Sequence, residues 1–167
     1  LILVQFNKLT IIIGSLALIP VFIYPLMKRV TWWPQIFLGI TFNWGALLGW
    51  LSLSNDFSSI YPILLYLACI FWTVGYDTIY AHQDKDDDIV LNLKSSAIKL
   101  GENTKNALLI FYAIFFIIFA VILFSLSNSI IIHLAILSLL IHLVFQIIYL
   151  DINNSDRCLK IFKSNNF

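Results

Sequence analysis

Long apolar runs almost free of charge decide what this chain can fold into. No Asp, Glu, Lys or Arg occurs between Lys8 and Lys28, or between Lys105 and Asp151. A helix needs about 20 consecutive apolar residues to cross the hydrocarbon core of a bilayer. The runs give five such spans, at about residues 9–26, 34–53, 60–81, 107–126 and 130–150. The chain is 60% hydrophobic and 11% charged, against about 25% charged in soluble domains. The expected fold class is an all-α membrane protein, a multi-helix transmembrane bundle forming one domain over residues 1–167.

Breaks and small residues give the spans their detail. Pro20 and Pro25 should bend the first span, and Gly14 should let a neighbour approach. Trp32, Trp33 and Pro34 read as an interfacial belt beside a helix start. Gly39, Gly45 and Gly49 offer small faces on the second span. His82–Asn106 is a long polar connection, Ser127–Ser129 a tight turn, and Asp151–Phe167 a polar tail. Leu1–Phe6 reads as the end of an earlier apolar segment, and both ends read as cuts in a longer protein. The first apolar stretch lacks the basic n-region and small-residue cleavage site of a signal peptide and is not expected to be one. Cys69 and Cys158 sit in different settings, with no disulfide or zinc pattern. No basic tract for nucleic acid is present.

The basic residues fix an orientation. Of ten Lys and Arg, all but Lys8 fall on one side of a five-span topology: Lys28, Arg29, the His82–Asn106 connection and the tail. By the positive-inside rule that side is cytoplasmic, or its organellar equivalent.

On the same side, five of the nine acidic residues crowd into one stretch: Asp77, Asp84, Asp86, Asp87 and Asp88. Carboxylates beside a membrane span are costly, so such a cluster is a functional-site candidate. At helical spacing Asp77, Asp84 and Asp88 fall within about 40° of one another, with Thr73 and Tyr80 on the same side. Asp84 and Asp88 are one turn apart, where two bare carboxylates repel by roughly 3 kcal/mol at an effective dielectric of 20. A divalent cation would relieve that, and Mg²⁺ is usually held by one or two carboxylates plus substrate phosphate. An EF-hand reading fails, because Ile89 and Ser95 stand where that loop needs Gly and Glu. A solvated acidic loop is the alternative, as a topology anchor is for Lys28 and Arg29.

The remaining polar residues have structural readings. His133 and His142 lie on opposite faces of the fifth span and cannot share a metal; each is expected to be a hydrogen-bonded structural histidine. His82 projects away from the acid stripe and is expected to be exposed. Gln146 and Asn43 should make helix–helix hydrogen bonds, with Asn43 near the site.

The runs Tyr24-Pro25-Leu26-Met27-Lys28-Arg29, Trp33-Pro34-Gln35, Tyr76-Asp77-Thr78 with Tyr80-Ala81, Asp84-Lys85-Asp86-Asp87-Asp88, Lys94-Ser95 and Leu100-Gly101 together resemble the UbiA superfamily of intramembrane aromatic prenyltransferases. Within it the likeness is to the 4-hydroxybenzoate subgroup of ubiquinone synthesis, including the tail Asp151-Ile152-Asn153 with Cys158 and Phe162-Lys163-Ser164-Asn165. It extends over all 167 residues. The resemblance implies a helical bundle around a central cavity. It also implies Mg²⁺ as cofactor, and polyprenyl diphosphate, 4-hydroxybenzoate and the lipid bilayer as partners. Asp84 and Asp88 match the two acids of the second metal-binding motif. The first, of NDxxD type, is absent, and Asn55-Asp56 does not replace it. Lys28, Arg29, Tyr24 and Asn43 are implied for substrate binding, and Asp77, Tyr80 and Arg29 for catalysis. The implied setting is the bacterial or mitochondrial inner membrane, with the site on its cytoplasmic or matrix face. Alternatives are an inactive piece of a split or degraded gene, a relative with another aromatic acceptor, and a small cation-binding transporter.

Overall fold

Proline and asparagine, rather than charge, set where helices break inside the spans. The computed structural model describes residues 2–54 and 56–166. The first span is segmented into α1 (Lys8–Leu16), α2 (Leu18–Ile23), a 3-10 turn at Tyr24–Leu26 and α3 (Met27–Val30). Pro20 and Pro25 cannot donate to the carbonyls one turn back, so the ladder loses rungs where the helix divides. The second span divides at Asn43 into α4 (Pro34–Phe42) and α5 (Trp44–Ser54). Asn43 has non-helical angles, φ −88° and ψ 5°.

Three uninterrupted helices follow: α6 (Tyr61–Gln83), α9 (Thr104–Leu126) and α10 (Ile130–Tyr149). The long polar connection is itself folded into α7 (Lys85–Val90) and α8 (Ser96–Leu100). The tail forms α11 (Ser155–Lys163). Five helical stretches are long and apolar enough to cross a membrane. No strand occurs among the described residues. The chain is an all-α integral membrane protein.

The hub is α6, which packs against α4, α5, α8, α9 and α11. Glycines permit the closest approaches. A Cβ at Gly75 would overlap the Tyr112 ring, and one at Gly39 would lie 3.1 Å from the Ile70 carbonyl oxygen. Gly45 and Gly49 behave otherwise than expected: nothing approaches within 4 Å of a Cβ at either, and both border an open groove. The core joins Ala68 and Ile79 of α6 to Leu108, Tyr112 and Phe115 of α9, Leu143 of α10, and Cys158 and Ile161 of α11. Tyr112 Oη also donates to Gln146 Oε1 at 2.5 Å, tying α9 to α10.

Candidate functional site

The acid stretch keeps helical spacing through the break at the end of α6. Asp84 flanks both helices with φ −94° and ψ 5°. Even so, the Asp88 amide donates to the Asp84 carbonyl at 2.8 Å, so the two acids stay one turn apart. Asp86 and Asp87 point to solvent, Asp77 and Asp84 are part-buried, and Asp88 is only 3% exposed. The cluster therefore splits into an inner set and an outer pair, as a 100° step requires.

A carboxylate as buried as Asp88 needs a partner. Lys28 Nζ supplies it, donating to Oδ1 at 3.0 Å and Oδ2 at 3.3 Å. The Lys28 carbonyl accepts from the Lys94 amide at 2.7 Å, and Lys94 Nζ donates to the Val30 carbonyl at 3.1 Å. Lys94 also sits 5.8 Å from the Trp32 ring centroid, within cation–π range. Ser96 completes the strap: its hydroxyl is 2.7 Å from Thr78 Oγ1 of α6, and its amide donates to Gln35 Oε1 of α4 at 3.4 Å. The corner that carries Lys28 is thus bound to the connection that carries Asp88.

Tyr24, in the 3-10 turn before Lys28, is part-buried and within electrostatic reach of Asp77, Lys28 and Tyr80. Asp77 in turn feels Lys28 and Asp84. An aromatic wall runs beside them: Trp72 stacks on Phe115 with centroids 5.8 Å apart and meets Tyr76 edge-on at 5.2 Å. Phe162 of α11 then covers Tyr76 at 5.7 Å and Tyr80 at 4.8 Å. Asn43 Nδ2 donates to the Gly39 carbonyl, the Cys69 carbonyl and Thr73 Oγ1 at 2.8, 3.2 and 2.8 Å. Its amide group therefore joins the α4–α5 break to α6, as a helix–helix bond. Arg29 is exposed and makes no hydrogen bond or ion pair among the described residues.

Three features depart from the sequence reading. His82 is buried rather than exposed, its Nε2 2.8 Å from Thr104 Oγ1; it turns away from the acids but into the α6–α9 contact. Lys28 and Asp88, assigned to different ligands, are bonded to each other. The tail is an amphipathic helix that closes one side of the site. Its signal was present, since Cys158, Ile161 and Phe162 recur at helical spacing among Asp156, Arg157, Lys160 and Lys163. His133 and His142 are hydrogen-bonded as expected, to the Ser129 carbonyl at 2.9 Å and to Gln146 Nε2 at 2.7 Å. Asn55 lies outside the described residues. Asp56 accepts from the amide and hydroxyl of Ser58 in an exposed loop.

Electrostatics bear on what the acids hold. The Asp84 carboxyl is pushed above the ordinary range, first by burial, then by the neighbouring charges of Asp88 and Asp87, with Lys28 opposing. A carboxylate raised by burial and by like-charged neighbours gains from a cation. Among the described residues no three His, Cys, Asp or Glu converge to form a protein-only metal cage. The donor set is a pair of carboxylates one turn apart. That suits an ion which takes its remaining ligands from phosphate and water, as Mg²⁺ does.

Comparison with known proteins follows the same lines. The UbiA prenyltransferase family matches residues 1–167. The chain is 44% identical over 165 residues to the mitochondrial 4-hydroxybenzoate polyprenyltransferase of Drosophila melanogaster, covering 99% of this chain and 42% of that protein. With the human protein of the same name it is 41% identical over 159 residues, 95% and 43% of the two chains. With that of Caenorhabditis elegans it is 54% identical over 104 residues, 62% and 29% of the two chains. Among solved structures, the apo structure of a UbiA homolog from Aeropyrum pernix K1 superposes with a TM-score of 0.73 at 22% identity. That superposition covers 96% of this chain and 62% of the other, and shows the shared fold. The chain spans less than half the length of these curated relatives.

Proposed function

The chain belongs to the UbiA prenyltransferase family, and on that premise we propose that it carries the diphosphate-binding side of a 4-hydroxybenzoate polyprenyltransferase that acts within the complete protein. The observation that carries this reading is the Lys28–Asp88 pair, with Lys28 within electrostatic reach of Tyr24 and Asp77. It sets cationic and acidic groups at one membrane boundary, as an anionic substrate with a counter-ion requires.

In the proposed reaction the allylic C–O bond of a polyprenyl diphosphate breaks and its electron pair leaves with the diphosphate. A ring carbon ortho to the phenol of 4-hydroxybenzoate supplies the pair for the new C–C bond, and the ring proton passes to a carboxylate. Asp84 and Asp88 would hold a Mg²⁺, whose chemistry is to neutralise charge on the leaving diphosphate. Lys28 has three N–H donors, so it can bond a diphosphate oxygen while keeping Asp88. Asp77 would polarise the phenol and receive the proton, and Tyr80 and Tyr24 would orient the ring. Trp72, Tyr76 and Phe162 exclude water and present π faces to an allylic cation. Arg29 stands free at the entrance to pair with the benzoate carboxylate or the diphosphate. The cation-rich side faces the cytoplasm or the mitochondrial matrix.

The test uses membranes carrying the full-length protein. Prenylation of 4-hydroxybenzoate should depend on Mg²⁺, and Asp84→Ala should lower it about 100-fold or more. Full activity in that variant would overturn the assignment.

A further inference from the structure

The α9–α10 pair borders an apolar groove, and a polar pocket lies at the ends of the same two helices. The pocket, about 400 Å³, is bordered by Glu102, Lys105, Asp151 and Arg157. The groove, about 290 Å³, runs between Leu109, Ala113 and Phe116 of α9 and Leu140, Val144 and Ile147 of α10. Leu109 lies one turn beyond Lys105 on α9, and Leu150 and Asp151 of the pocket wall follow Ile147 by about one turn, so pocket and groove succeed one another along the same two elements. Among the described residues the only ion pair is Lys28–Asp88. The two acids and two cations of the pocket therefore share a small space without neutralising one another within 4.0 Å.

We propose that this is a binding site for a phospholipid whose headgroup joins a phosphate to a primary ammonium, of the phosphatidylethanolamine type. Lys105 and Arg157 take the phosphate oxygens, and Glu102 and Asp151 accept from the ammonium. An acyl chain lies in the groove below. The balanced charge of the pocket decides among headgroups. An anionic lipid satisfies the cations but meets two carboxylates. A choline headgroup has no N–H for the carboxylates to accept. The site joins α9, through Lys105, to the α10–α11 link and α11, through Asp151 and Arg157, so the lipid fastens the tail helix to the bundle.

Native mass spectrometry of the full-length protein in mild detergent, exchanged with phosphatidylethanolamine, phosphatidylcholine or phosphatidylglycerol, tests the proposal. The ethanolamine lipid should be retained about tenfold better than either competitor. Lys105→Ala with Arg157→Ala should remove that preference, and so should Ala113→Trp, which fills the groove from an exposed position. Circular dichroism checks that the helices persist, and if the double variant loses them the Ala113→Trp result decides. Equal retention of the three lipids, retention unchanged by Ala113→Trp, or displacement of the lipid by a polyprenyl chain from this groove would each overturn it.

Discussion

The two ends of the bundle are built from similar residue types but bonded in different ways. At the acid end, polar side chains reach across the sequence: Lys28 to Asp88, Gln35 to Ser96, Thr78 to Ser96, His82 to Thr104 and Gln146 to Asn165. At the opposite end they mostly close local turns: Ser54 to Trp50, Ser58 to Asp56 and His133 to Ser129. Asn7, which donates to the Leu51 carbonyl at 2.6 Å, is the long-range exception there. Turn-closing bonds fix a loop and nothing else. Cross-chain bonds fix the distances between elements, and holding groups at set distances is what binding and catalysis need.

Substitutions should separate the two ends. The largest effect on folding is expected at Lys28. Its replacement by Ala strands a buried carboxylate and should cost about 1–3 kcal/mol, less than the roughly 3–5 kcal/mol of a fully buried broken pair, because the ammonium is partly exposed. Adding Asp88→Ala should return most of that loss in thermal melts, whereas additive losses would mean the pair is not coupled. Next comes Gly75→Ala, which forces a methyl into the Tyr112 ring and should cost about 1–3 kcal/mol by overpacking. Gly49→Ala meets nothing and should stay within about 0.5 kcal/mol.

A pH effect sharpens the contrast further. Asp84 is raised in the folded chain. Its contribution to stability is therefore fully present below the unfolded value and lost as pH rises through the folded one. Asp84→Asn should raise the melting temperature slightly at neutral pH and not under acid conditions. Protons also compete with a cation at Asp84. Mg²⁺ affinity by calorimetry should fall, on acidification, at a higher pH than an unperturbed aspartate would set. The smallest effect belongs to Asp56, held below the usual range by the Ser58 hydroxyl and amide. Its stabilisation lies above the unfolded value and is lost as pH falls through the folded one. Because the loop is solvent-exposed, Asp56→Asn should lower the neutral-pH melt only slightly and leave prenyl transfer unchanged, and a loss of activity would contradict the division between the ends.

Much of this was legible in the residues, for physical reasons. Hydropathy locates the spans because a bilayer tolerates nothing else in the helix middles, and prolines mark the segmented one. Charge asymmetry places Lys28 and the aspartates at one boundary, where they meet. Facing was not legible: α9 is apolar all round and the membrane part of α6 nearly so, so Gly75 of α6 and Tyr112 of α9 gave no sign that they fit together. His82 looked solvated beside charged neighbours, yet Thr104, 22 residues away, supplies the bond that lets it be buried. Gly45 and Gly49 offered small faces that nothing among the described residues approaches. The direct bond between Lys28 and Asp88 depends on how the connection folds back, which spacing does not encode.

Phe162 sets an order of events. It is translated after α9 and α10, yet it rests on Tyr76 and Tyr80 of a helix made well before either. Until α11 docks, those two rings face open lipid or water. A nascent chain therefore holds its charged groups before Phe162 covers the two tyrosine rings, and that cover comes only when the later helices are in place. Shielding arrives last, so, for the reaction proposed above, an unfinished copy would be poorly equipped to protect an allylic cation.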